Sequence, residues 1–338
     1  MTPADHRAPE ADTPLRLTAT GLAGDGTDPP RRLLAFVDSV LRGIGQVMLQ
    51  NNAFTGLLFL AGLFFNSALF GWAALLGAAV STAAATLLGA ARSQIREGLF
   101  GFNGALVAIA LLFFLKPDAL AWSYVVLAAA CTTVLMAALI RLFGTWKVPA
   151  LTAPFVLTTL GFVLATARFG RLHSTGVLPT AGLPTAASVE GVVTAATVGT
   201  GLLTGLSQVF FQGNAITGVL FAVGLFLSSR SAGVAALLGS LAGLLTAWVL
   251  GAAEPAIRSG AFGFNSVLAA IALAGGFGPA STSYAALGAI ASAVLFAALS
   301  AALAPLGMPA LTSPFVLVVW LFLLARPLLR RVQEGAAA

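Results

Sequence analysis

Ten apolar runs, separated by short polar or proline- and glycine-bearing segments, organise the chain. Five lie at 53–68, 70–91, 99–115, 119–141 and 149–168, and five more at 215–229, 232–251, 261–277, 283–304 and 309–325. Runs this apolar, almost free of charge, predict membrane-crossing helices, which need about 20 residues each. Several are short for a full span, which predicts tilted or broken helices. The stretch 31–50 is apolar but interrupted by Asp38 and Arg42, and predicts a surface helix leading into a half-helix around 46–50. A cleaner lead-in, 190–204, precedes the second set. Residues 1–30 are polar, lack the apolar core of a signal peptide and are expected to be a mobile tail. This divides the chain into repeat 1 (31–172), a linker (173–189), repeat 2 (190–330) and a C-terminal tail (331–338).

The two sets are copies. Gly43–Gly56 (GIGQVMLQNNAFTG) and Gly205–Gly218 (GLSQVFFQGNAITG) agree at eight of fourteen positions, at an offset of 162 residues. The same offset aligns GLFGFNGAL at Gly98–Leu106 with GAFGFNSVL at Gly260–Leu268. Two residues then drop out, and PALTAPF at Pro149–Phe155 matches PALTSPF at Pro309–Phe315. Five spans per copy is odd, so the second copy enters from the opposite side. The expected fold is therefore all-α and integral to the membrane, an inverted repeat of two five-helix units, each with a pore-lining half-helix. Duplicated membrane units of this kind hold their site between the copies.

Charge agrees with that count. With the N-terminus inside, and the tail excluded, eleven Lys and Arg residues fall on inside loops and four (Lys116, Arg168, Arg171 and Arg258) on outside loops, as the positive-inside rule requires. Both termini are expected in the cytoplasm. The chain is 59% hydrophobic and 8% charged, with mean hydropathy +0.98, against about 25% charged for a soluble domain. The net charge of +6 comes without clustering of basic residues and aromatics, so no nucleic-acid partner is expected. Cys131 is the one cysteine and reads as a small buried apolar residue. With His6 and His173 the only histidines, no metal or cofactor site is expected. The many Gly, Ala, Ser and Thr residues within the spans serve close helix packing.

The most telling chemical feature is a missing one. Outside the tails the carboxylates are Asp38, Glu97, Asp118, Glu190 and Glu254, all at span ends or in loops. Ion pumps and proton-coupled carriers need an ionisable group within the membrane, and a membrane hydrolase needs paired carboxylates, a metal or a His base. A passive path for a neutral solute remains. Its candidate polar groups are the repeated Gln46 and Gln208, and Thr152 and Thr312, which sit where Pro149–Pro154 and Pro309–Pro314 break the helix. Phe102 and Phe264 offer flat apolar faces. Two such faces with acceptor oxygens along one edge would admit a planar amide and reject a hydrated ion. Asn103 and Asn265 are expected to cap helix starts. Competing readings are a pore for another small neutral solute (ammonia, water or a short amide) and a non-transporting receptor or scaffold.

The motifs GQVMLQNNAFTG, GLFGFNGAL and PALTAPF, each present twice and in the same order, resemble the bacterial and animal urea transporter family over about 31–330; the chain looks like a bacterial member. The resemblance implies a channel-like facilitator of urea in the cell inner membrane, not an enzyme, embedded in membrane lipid as a homotrimer with one pore per protomer. It further implies that the half-helices contribute Gln46, Val47 and Leu49, and Gln208, Val209 and Phe211. The slots come from Phe102, Leu106, Phe264 and Leu268, and the narrow middle from Thr152 and Thr312. Many relatives carry Glu at the position of Gln208, and Leu49 stands where relatives carry Phe, which implies a looser slot there.

Overall fold

The computed structural model describes residues 16–24, 28–180, 189–277 and 281–329. The expected tails at 1–15, 25–27 and 331–338, and the linker at 181–188, lie outside the described residues.

Each copy folds into the same series of helices. The first has α1 (Pro29–Gln46), α2 (Ala53–Asn66), α3 (Ala68–Leu87), the short α4 (Arg92–Arg96), α5 (Gly101–Phe114), α6 (Ala119–Gly144) and α7 (Ala153–Thr166). The second has α8 (Ala195–Ser207), α9 (Ala215–Ser228), α10 (Arg230–Val249), the short α11 (Glu254–Arg258), α12 (Phe264–Ile271), α13 (Thr282–Leu303) and α14 (Ser313–Ala325). Matching local signals start them: the Oδ1 atoms of Asn52 and Asn214 accept from the N–H groups of Thr55 and Thr217, and Ser67 and Ser229 cap α3 and α10.

Ten helices occupy the ten apolar runs, but among the described residues only α3, α6, α10 and α13 are long and apolar enough to cross a membrane alone; α8 and α9, bent by 75°, add a broken span. The 14-residue helices α2, α5, α7 and α9 reach only about 21 Å, against a hydrocarbon core of about 30 Å. α5 and α7 start from buried backbone, at Phe100 and at 150–152, where irregular structure is tolerated. In α5, 13 of 14 residues are buried, as expected of a helix apolar on every face.

The copies meet about a local two-fold axis. Thr55 Oγ1 donates to Gly224 O at 2.8 Å, and its counterpart Thr217 Oγ1 donates to Gly62 O at 3.1 Å. Between these bonds Phe59 and Phe221 pack with ring centres 4.9 Å apart. Side chains at Gly62 and Gly224 would strike these rings, so the two glycines permit the α2–α9 contact. Close approach also seats the half-helices. Gly98 and Gly260 have φ of +74° and +77°, and a Cβ on either would collide with the backbone at Gly43 or Gly205.

Two expectations are corrected. Part of the polar N-terminal stretch is ordered: β1 (Arg16–Thr18) and β2 (Gly21–Ala23) form an antiparallel hairpin. Asp38 Oδ1 accepts from Leu22 N at 2.7 Å, and Ala53 N donates to Thr20 O at 2.9 Å, so a carboxylate of α1 and the first N–H of α2 tie down the hairpin. Cys131 is exposed, in an open groove between α6 and α7.

Candidate functional site: two cavities and a threonine pair

Asp38 and Arg42, which made 31–50 a poor span, form a buried ion pair at 2.8 Å. Arg96 lies 3.6 Å from the same carboxylate oxygen and also donates to Leu22 O. Arg42 Nη1 donates to Asn51 Oδ1 at 2.7 Å. The first half-helix is thus held by charge, as a buried ion must be paired to be tolerated. The second is held by hydroxyls and a surface pair. Thr204 Oγ1 donates to Arg258 O at 2.8 Å, Thr197 Oγ1 to Glu254 Oε1 at 2.6 Å, and Arg258 Nε to the same Oε1 at 2.8 Å. The hydroxyl of Thr197 and the Arg258 guanidinium hold the Glu254 carboxyl below its ordinary value.

Both half-helices end in a tight turn whose last residue is left-handed: Leu49 and Phe211 each have φ of +62°. The final carbonyls of a helix lack their usual donors; here N–H groups of the turns take Ile44 O, Gly45 O and Gln46 O, and Ser207 O and Gln208 O, which makes Val47 O and Val209 O the candidate acceptors. Gln50 Nε2 takes Met48 O, and Gln212 Nε2 takes Phe210 O, which pins both turns. Gln46 Nε2 donates to Glu97 O at 3.0 Å, leaving Oε1 as the group it can offer a solute.

Each half-helix end opens onto a cavity. One, of about 450 Å³, is lined by Gln208, Val209, Phe211, Phe264 and Thr312, with Phe113 and Phe114 from the end of α5. The other, of about 410 Å³, is lined by Gln46, Leu49 and Phe102, with Gly276 and Phe277 from beyond the end of α12. The first cavity meets the end of α5 and the start of α12; the second meets the start of α5 and the end of the other chain segment. The repeats therefore run in opposite senses, and the cavities lie at opposite ends of the buried helices. Among the described residues, no charged side chain lines either one.

The loops carrying the two proline motifs meet between the cavities. Thr152 Oγ1 and Thr312 Oγ1 are 2.7 Å apart and hydrogen bonded, both buried. Leu151 and Leu311 just before them have φ of +53° and +51°, an unusual conformation for a branched residue. Asparagines from the neighbouring motif over-determine it. Asn103 Nδ2 donates to Leu151 O while its Oδ1 accepts from Phe155 N at 3.0 Å. Asn265 does the same with Leu311 O and Phe315 N, the latter at 3.1 Å. These asparagines cap helices as expected, but the starts they cap belong to α7 and α14, not to their own helices.

Of the twelve residues singled out from sequence, eight line the cavities. The others, Val47, Leu106, Thr152 and Leu268, are fully buried and line neither cavity. Sequence reading missed Met136 and Ile140 on α6 and their counterparts Phe296 and Ser300 on α13, at an offset of 160 residues. These pairs occupy equivalent wall positions but differ in type, so a search for identical residues passes over them.

A family model described as urea transporter matches residues 37–327. The chain belongs to the urea transporter family. It is 34% identical over 300 residues to Urea transporter 1 of Rattus norvegicus, covering 86% of this chain and 77% of the relative. To Urea transporter 1 of Ovis aries it is 34% identical over 304 residues, covering 88% and 78%. The rat and sheep proteins are thus matched across both copies, so the family likeness extends to the whole frame. As a member of a family of channel-like transporters, the chain is a multi-pass membrane protein and not an enzyme.

Proposed function

We infer that this protein conducts urea passively across a membrane, through the two cavities and the constriction between them. The observation that carries this reading is a pair of uncharged cavities, in a member of the urea transporter family, at opposite ends of an inverted repeat and separated by the Thr152–Thr312 pair. Urea offers four N–H donors and two flat faces. Its donors meet Gln46 Oε1, Gln208 Oε1 and the terminal carbonyls of the half-helices, including those of Val47 and Val209. Its faces slide past Phe102 and Leu49 in one cavity and Phe264 and Phe211 in the other, and Leu106 and Leu268 form apolar walls in the constriction between them. At the centre one hydroxyl of the threonine pair turns to accept from urea. An ion entering either cavity would lose hydration with no opposite charge to replace it.

The protein works as a homotrimer of independent pores in the inner membrane, with lipid around it and both termini in the cytoplasm. The excess of Lys and Arg on the Gln46 side supports that orientation. Proteoliposomes loaded with labelled urea test the passive reading: urea should reach the external concentration and stop there, whatever proton or sodium gradient is imposed. Accumulation above the external level driven by either ion would refute it.

A further inference from the structure

A smaller cavity of about 200 Å³ adjoins the Gln46 cavity and shares Leu49 and Gly276 with it. Nothing equivalent needs to exist on the Gln208 side, because the corresponding positions carry bulk. At the offset of 162, Ser231 replaces Leu69, Ala232 replaces Phe70, Ala274 replaces Leu112, and Gly275 and Gly276 replace Phe113 and Phe114. On the Gln208 side Phe113 packs against Phe70, Phe114 and Phe211. Truncating five of these side chains and replacing Phe211 by Leu49 empties that volume.

The emptied volume also leaves an acceptor without its donor. Gln212 Oε1 accepts from Asn66 Nδ2 at 2.7 Å. The position matching Asn66 is Ser228, too short to repeat the bond. Gln50 is 5% exposed, its Nε2 is committed to Met48 O, and no described residue donates to its Oε1. An acceptor that faces the cavity and has no donor among the described residues favours any ligand that brings an N–H. The hydroxyls of Ser229 and Ser231, 2.9 Å apart, stand in the same wall, able to donate to a carbonyl. Ile271 and Ala235 supply apolar surface, and among the described residues none that lines the cavity is charged.

We propose that this side cavity is a second binding site for urea and other small planar amides, filled from the Gln46 cavity and lying off the conduction line. The ligand's NH2 donates to Gln50 Oε1, and its carbonyl accepts from a serine hydroxyl. The proposal rests on the urea reading above. Crystals soaked in selenourea test it, since anomalous diffraction locates each selenium. Wild-type protein is expected to show a peak beside Gln50 as well as peaks in the two main cavities. Ser228→Asn supplies the missing donor and should abolish the Gln50 peak while the main peaks and proteoliposome urea flux persist. Ser231→Leu, which fills the volume instead, should abolish it too if Ser228→Asn does not fold. Peaks in the main cavities without one at Gln50, or a Gln50 peak undiminished in the folded variants, would overturn the proposal and leave the urea path standing. Selenium absent from all three places would overturn both.

Discussion

Where the second half-helix turns toward α9, Phe211 packs against Phe113, Phe114 and Phe155, and Gln212 is fully paired. Where the first turns toward α2, Leu49, Gly275 and Gly276 leave space, and Gln50 is half paired. The copies agree most closely where they touch each other: Thr55 with Gly224 and Thr217 with Gly62, Thr152 with Thr312. They diverge at the mouths, where each faces a different solution. One exchange makes the point within the frame itself. Copy 1 has Ser81 against Gly104, and copy 2 has Gly243 against Ser266. In each, the one serine donates to a carbonyl of the following long helix, Ala129 O or Ala289 O, and the glycine clears room for its hydroxyl. The helix contact is kept although the residue supplying it changes sides.

The largest effect expected from testing this contrast comes from the tethers. Asp38→Asn leaves Arg42 and Arg96 without their carboxylate, and should destabilise the protein by about 3–5 kcal/mol, read as a fall in unfolding temperature in detergent. Thr200→Val, at the matching position of α8, should cost less than about 1 kcal/mol. Equal losses would show that the two half-helices are held alike. Next come the paired hydroxyls. Thr152→Val or Thr312→Val alone strands a buried hydroxyl, at about 1–3 kcal/mol, whereas the double variant should cost less than the sum. Either single variant should slow urea flux about tenfold, the equivalent of one lost hydrogen bond; unchanged flux would remove the pair from the path. A smaller effect is expected from Leu49→Phe, which copies Phe211 onto a turn that already has the same φ. N-methylurea flux should fall relative to urea by a few-fold, on the order of 1 kcal/mol or less. A ratio identical to wild type would mean that Leu49 does not shape the slot.

The smallest concerns Glu254. Its carboxyl is held below its ordinary value by Thr197 and Arg258, so its contribution to stability is complete above the unfolded value of about 4.3 and is lost as pH falls through the lower folded value. The unfolding temperatures of wild type and Glu254→Gln should therefore differ at neutral pH and converge in acid. A difference that persists at low pH would assign the effect to something other than the carboxylate.

Much of this frame is legible in the sequence because the copy supplies its own control. The repeated motifs located Gln46 and Gln208, the FGFN helices and the threonine loops, and the odd number of runs required inversion. Helix length was less legible. The run at 99–115 is apolar beyond both ends of α5, because Phe100 and Leu115 are buried outside the helix. The partners of Asn103 and Asn265 were hidden for another reason: a side chain's donor lies about 50 residues away and leaves no periodic trace. The hairpin at 16–23 was hidden because three-residue strands in polar sequence carry no alternation to read. Trp320, whose Nε1 donates to Pro149 O at 2.8 Å, has no counterpart in copy 1, so the repeat could not flag it.

Stopped-flow urea equilibration in proteoliposomes, with wild type and Thr152→Val reconstituted to equal density, tests the central claim most directly. Wild-type equilibration should be far faster than in empty liposomes and slowed by excess N-methylurea, with Thr152→Val about tenfold slower. Folded wild-type protein giving a rate no faster than empty liposomes would contradict that claim.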